Sequence, residues 1–167
     1  MTRAWIALAL TAMTAAPAYA AAPSLEGTYN DWQVFARTEG GEKICYVVTK
    51  PESMAPSNVA HGDVYFMVSS WRSGLATEQP SFLAGYPLKT TRTPQAKVGG
   101  TTISMYGADN EAYIESSSDE RKLVSQMRSG SSMTVNAVSA RGTETRYRFS
   151  LSGVTAALKK AKSLCAN

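Results

Sequence analysis

The chain has little of what catalysis is usually built from. Its 167 residues hold one histidine, His61, and two cysteines, Cys45 and Cys165. A zinc centre of the usual kind needs three or four His and Cys ligands, more than this chain offers once its cysteines are paired with each other. No glycine is followed by lysine, so there is no phosphate-binding P-loop. Neither a Gly-x-Ser-x-Gly elbow nor a Ser-x-x-Lys dyad occurs. No cofactor or metal is implied by any motif. Charge is sparse too: 17 basic residues against 13 acidic ones leave a formal net charge of +4. That balance favours contact with anionic surfaces but falls short of a nucleic-acid-binding signature.

Long apolar runs are also missing, apart from one at the start. Arg3 supplies a positive start, Trp5 to Met13 are apolar, and Ala18-Tyr19-Ala20 has the small-x-small pattern of a cleavage site. The run is too short for a permanent membrane helix. Residues 1–20 are therefore expected to be a signal peptide, and 21–167 a single exported domain, periplasmic or secreted. Losing Arg3 with the leader lowers the net charge by one. In an oxidising compartment two cysteines read as one disulfide, Cys45 to Cys165. Free thiols or a bond between chains are the alternatives.

What the chain does have is a succession of short β-patterned stretches. Asp31 to Thr38 alternates, Glu39-Gly40-Gly41-Glu42 is a turn, and Ile44 to Thr49 is β-branched and aromatic, which predicts a hairpin. Ala21 to Asn30 reads as a lead-in and Lys50 to Asp63 as a loop. Further strands are expected over Val64 to Trp71, Ser81 to Tyr86, Ala96 to Val98, Thr101 to Tyr106 and Glu111 to Glu115. The period then changes. Ser117 and Glu120 form a capping-box pattern before a helix burying Leu123, Val124 and Met127, with Gly130 as a left-handed stop. Met133 to Ala137 and Tyr147 to Leu151 alternate around Arg141-Gly142-Thr143. Ser152 is placed to cap a last helix with Val154, Ala157, Leu158, Ala161, Leu164 and Cys165 on one face. The chain is thus expected to be mainly β, an antiparallel β-sandwich or barrel-like sheet with two short helices in its C-terminal third.

Candidate functional residues are few. His61 and Asp63 have the residue types for acid-base work, but they sit in a glycine- and proline-bearing loop where a solvated histidine and a turn-forming aspartate are the simpler reading. Asp119 and Glu120 suit the first turn of a helix. Arg146 and Arg148 point to one strand face, opposite Tyr147 and Phe149, and with Arg141 could hold the phosphate or carboxylate groups of a partner. The alternative is a solvated face that discourages edge-to-edge aggregation. Trp71, followed by Arg72 at a strand end, is the candidate for an exposed anchor. Trp32, Tyr46, Phe66, Phe82 and Phe149 are expected in the core, and Tyr86 at a packed strand end.

The order of several segments carries a resemblance. They are Gly27-Thr28-Tyr29-Asn30-Asp31-Trp32, Lys43-Ile44-Cys45-Tyr46, His61-Gly62-Asp63-Val64-Tyr65, Ser81-Phe82-Leu83-Ala84-Gly85-Tyr86 and Ala112-Tyr113-Ile114. A closing block follows, from Leu123-Val124-Ser125-Gln126-Met127-Arg128-Ser129-Gly130 through Ser139-Ala140-Arg141-Gly142-Thr143 to Phe149-Ser150-Leu151-Ser152-Gly153-Val154 and Cys165. Together they resemble the invasion-associated locus B family of exported bacterial proteins. The resemblance implies an envelope or secreted protein and brings no catalytic residues with it. The leading expectation is a non-enzymatic binding protein whose partner is a protein, glycan or anionic envelope component. The others are a structural or stress-related envelope protein and a small hydrolase using His61 and Asp63.

Overall fold

The computed structural model describes residues 22–166, so the expected leader lies outside the described residues. The chain opens with a three-stranded meander: β1 (Ser24–Tyr29), β2 (Trp32–Glu39) and β3 (Glu42–Thr49). Gly40 and Gly41 both take positive φ (58° and 84°), as the tight β2–β3 turn requires. Next come β4 (Ser53–Ala55), β5 (Tyr65–Trp71), β6 (Gln79–Leu83), β7 (Gln95–Val98), β8 (Thr101–Ser104), β9 (Tyr106–Ala108) and β10 (Glu111–Tyr113). The closing block is α1 (Ser117–Ser129), β11 (Ser132–Val138), β12 (Glu144–Ser150) and α2 (Val154–Cys165).

Two antiparallel sheets result. One has seven strands in the order β1-β2-β3-β5-β6-β10-β9, the other five in the order β4-β12-β11-β7-β8. They pack as a sandwich with no closed barrel. Alternation decides which side chains meet: Trp32, Val34, Cys45, Val47, Phe66 and Phe82 of the first sheet are buried with Met133, Val135, Tyr147 and Phe149 of the second. Phe66 and Phe149 ring centroids lie 5.8 Å apart across the interface, and Trp32 Nε1–H donates to Ser150 O at 3.0 Å. α2 lies on β2 and β3 and buries Val154, Ala157, Leu158, Ala161 and Cys165. Cys165 is disulfide-bonded to Cys45, with Cα atoms 5.9 Å apart and 120 positions between them in sequence.

Several boundaries differ from expectation for physical reasons. The lead-in is strand β1, whose alternation is hidden by a register shift between Leu25 and Gly27. The loop from Lys50 contains β4, three residues that pair only with the edge of β12. The single strand expected over Thr101 to Tyr106 is two, because the chain changes sheets at buried Met105. Ser116, not Ser117, caps α1, and its hydroxyl bonds Ser118 Oγ rather than a backbone amide. Gly130 is extended (φ −87°) rather than left-handed. A glycine is needed there because a Cβ would press on Val98 Cγ1 at 2.6 Å. Gly153, not Ser152, caps α2. Tyr46, expected in the core, is half-buried on the outer face of its sheet.

Candidate functional site

Three connections meet around the turn joining β11 to β12 and enclose a cleft of about 550 Å³. His61 comes from the loop before β5, Tyr86 from the link after β6, and Arg141 from the β11–β12 turn. The first two are held together by their glycines. A Cβ on Gly62 would lie 2.7 Å from Gly85 O, and one on Gly85 would collide with His61 O. Gly62 also has φ +67°, which side-chain-bearing residues rarely adopt. The third segment is tied down where Ala140 N–H donates to Pro87 O at 2.8 Å.

Below the cleft runs a chain of hydrogen bonds linking both sheets. His61, 7 % exposed, has Nε2 2.9 Å from Pro56 O and Nδ1 2.9 Å from Tyr147 Oη. Tyr147 Oη lies 2.8 Å from Tyr86 Oη, which lies 2.6 Å from Thr145 Oγ1, itself 3.1 Å from Ala137 O. Pro56 O only accepts, so Nε2 carries a proton. With a proton also on Nδ1, each group donates onward from His61 to Tyr147, Tyr86, Thr145 and finally Ala137 O. With a neutral ring the hydroxyl donors point the other way, from Thr145 through the tyrosines to Nδ1. One proton on one ring therefore sets the direction of the tyrosine hydroxyls, and in the neutral arrangement Thr145 Oγ1–H turns to Tyr86 and gives up its bond to Ala137 O. Burial, then the hydrogen bond with Tyr86, pushes the Tyr147 phenol well above its ordinary value of 10.0.

The geometry does not assemble a His61–Asp63 pair. Asp63 is exposed and faces Lys50 Nζ at 3.8 Å, while both imidazole nitrogens are engaged elsewhere. Among the described residues Arg141 makes no ion pair, so its guanidinium is the available charge at the cleft.

The Invasion associated locus B (IalB) protein family matches residues 32–162, most of the chain. The chain belongs to the IalB family. No curated protein and no solved structure shows a significant match to it. Membership fits an invasion-associated protein, and with the Cys45–Cys165 disulfide it is consistent with an exported one. Three of the segments that carry the IalB resemblance, around His61, Tyr86 and Arg141, are the ones that converge on this cleft.

The remaining arginines lie elsewhere. Arg146 and Arg148 do share the outer face of β12, but Arg148 is paired with Glu52 at 2.6 Å and Arg146 Nε–H donates to Asn136 Oδ1 at 3.2 Å. Arg146 borders a separate groove beside the Arg92–Glu144 ion pair. Trp71 is half-buried on the outer face of the seven-stranded sheet, and Arg72 is exposed beyond it. Sequence reasoning missed Tyr147, Tyr86 and Thr145 as one network. Alternation marks Tyr147 and Thr145 as inward-facing, yet a buried tyrosine must spend its hydroxyl on some partner, and that requirement was the available signal.

Proposed function

We propose that the chain is a non-enzymatic binding protein of the bacterial envelope, exported after loss of residues 1–20, whose cleft takes a carboxylate- or phosphate-bearing group of an envelope glycan or partner. The observation that carries this reading is the placement of Arg141, with no carboxylate partner among the described residues, at a cleft floored by Tyr86 and Thr145. A guanidinium offers forked donors to an oxyanion, and the hydroxyls add adaptable ones. A binding role is favoured over hydrolysis because His61 has no free nitrogen and no carboxylate beside it. General base work needs a nitrogen within reach of a substrate proton.

Amide chemical-shift mapping of the isotope-labelled protein with a phosphorylated lipopolysaccharide core oligosaccharide tests this at physiological salt. Shifts should cluster at residues 59–61, 85–86 and 139–145 and vanish in Arg141→Ala. A titration that leaves these positions silent removes the reading.

A further inference from the structure

We infer that the outer face of the seven-stranded sheet carries a second binding site, for a neutral pyranose oligosaccharide. It stands apart from the cleft and rests on different residues. Register builds it. Tyr46 on β3 is paired with Ser69 on β5, and Ser81 on β6 is paired with Tyr113 on β10. Ser69 is in turn opposite Gln79 and Ser81 opposite Met67, so the two rings stand on a diagonal across the middle strands, with Met67 and Gln79 beside the serines. The result is a groove of about 330 Å³. From β3 to β10 is three strand spacings, about 14 Å, which leaves room for a sugar ring along the diagonal.

The walls are reinforced and amphipathic. Tyr46 stacks on Phe35 with centroids 5.6 Å apart, and Tyr113 packs on Tyr106 at 5.8 Å. Trp71 lines the groove from the end of β5. Arg37 on β2, Gln79 on β6 and Glu111 on β10 also line the groove and supply both donors and acceptors. Arg37 is ion-paired with Glu39 at 3.1 Å, so with Glu111 the groove carries no excess of positive charge. Burial pushes the Tyr46 phenol up while the nearby Arg37 charge pulls it down, so the net shift keeps it neutral at ordinary pH.

These features select the occupant. A pyranose has an apolar C–H face that stacks on a ring and a rim of hydroxyls, each both donor and acceptor. An aliphatic chain would bring no hydrogen-bonding group to Glu111 or to the Arg37–Glu39 pair. An extended peptide joins a sheet through an unpaired edge, and β3, β5, β6 and β10 are each paired on both sides. Anionic glycans would meet no excess of positive charge.

Tryptophan fluorescence reads the site directly, because Trp32 is fully buried and Trp71 lies in the groove. The exported protein is titrated with cellotetraose, chitotetraose and maltotetraose, with oligogalacturonate as the anionic comparator. A saturable change is expected with at least one neutral sugar. Calorimetry should show about a tenfold loss of affinity in Tyr113→Ala and in Trp71→Ala. Trp71→Phe should keep most of the binding while losing the optical signal, which separates lost stacking from lost fold. Arg141→Ala should leave sugar binding unchanged, so this site and the cleft succeed or fail separately. The inference is overturned if only oligogalacturonate binds, if no neutral sugar binds to protein shown to be folded, or if affinity survives in Trp71→Ala and Tyr113→Ala. It is equally overturned if sedimentation shows a dimer that Trp71→Ala dissociates, since a second copy would then cover the face.

Discussion

At the scale of single residues, Tyr147 is the most constrained polar group beneath the cleft. It is fully buried, its ring lies 5.4 Å from Phe82, and its hydroxyl is shared between His61 and Tyr86. Tyr147→Phe should cost about 1–3 kcal/mol at neutral pH, because His61 Nδ1 and Tyr86 Oη lose a common partner. Denaturant titration checks this. The raised phenol pKa adds a pH dependence whose sign is fixed by linkage. The unfolded phenol releases its proton near 10.0, while the folded one holds it to higher pH. The contribution is therefore fully present below about pH 10 and is lost as pH rises further. The wild type should lose stability above that pH more steeply than Tyr147→Phe, a difference visible in paired titrations. Gly62→Ala should cost about 1–3 kcal/mol, through strain at positive φ and the clash with Gly85 O. Its effect should be seen both in the denaturation midpoint and in weakened ligand shifts at the cleft.

At the scale of elements, those with a clean internal period were legible. β11, β12 and α2 match their alternating or helical patterns closely. Elements whose identity depends on neighbours were not. β4 is a strand only because the edge of β12 offers it partners, and β1 only because a bulge realigns it on β2. Gly130 illustrates the same limit: its helix-ending position is visible in sequence, but the reason for a glycine is Val98 from a distant strand. Within α2, Leu158 is 2 % exposed and packs in the core. Leu158→Ala should cost about 2–5 kcal/mol by cavity formation. Lys162→Ala, on the exposed face, should stay within about 0.5 kcal/mol. Thermal unfolding of the two variants side by side tests the pair.

For the whole molecule, the disulfide is the long-range covalent constraint. It joins the middle of β3 to the last residue of α2 and so clips the C-terminus onto the first meander. Closing a loop this long restricts the unfolded chain strongly, and Cys45→Ser should cost about 2–4 kcal/mol. Comparison of oxidised wild type, reduced wild type and variant by denaturant midpoint measures it. Two free thiols in non-reducing mass spectrometry would show that the clip is not made.

The residues alone determined the β-rich class, the two C-terminal helices, the cysteine pair and the resemblance to the IalB family, because each rests on local period, composition or the order of segments. Arg146 and Arg148 were correctly placed on one strand face for the same reason. That they are occupied by Asn136 and Glu52, while Arg141 stands at a cleft with His61 and Tyr86, was decided only by the tertiary structure. The groove around Trp71 is of the same kind. Strand order brings Tyr46 and Tyr113 onto one diagonal across the middle strands although they are far apart in the chain. Periodicity states which way a side chain faces; only strand pairing and sheet packing state what it faces.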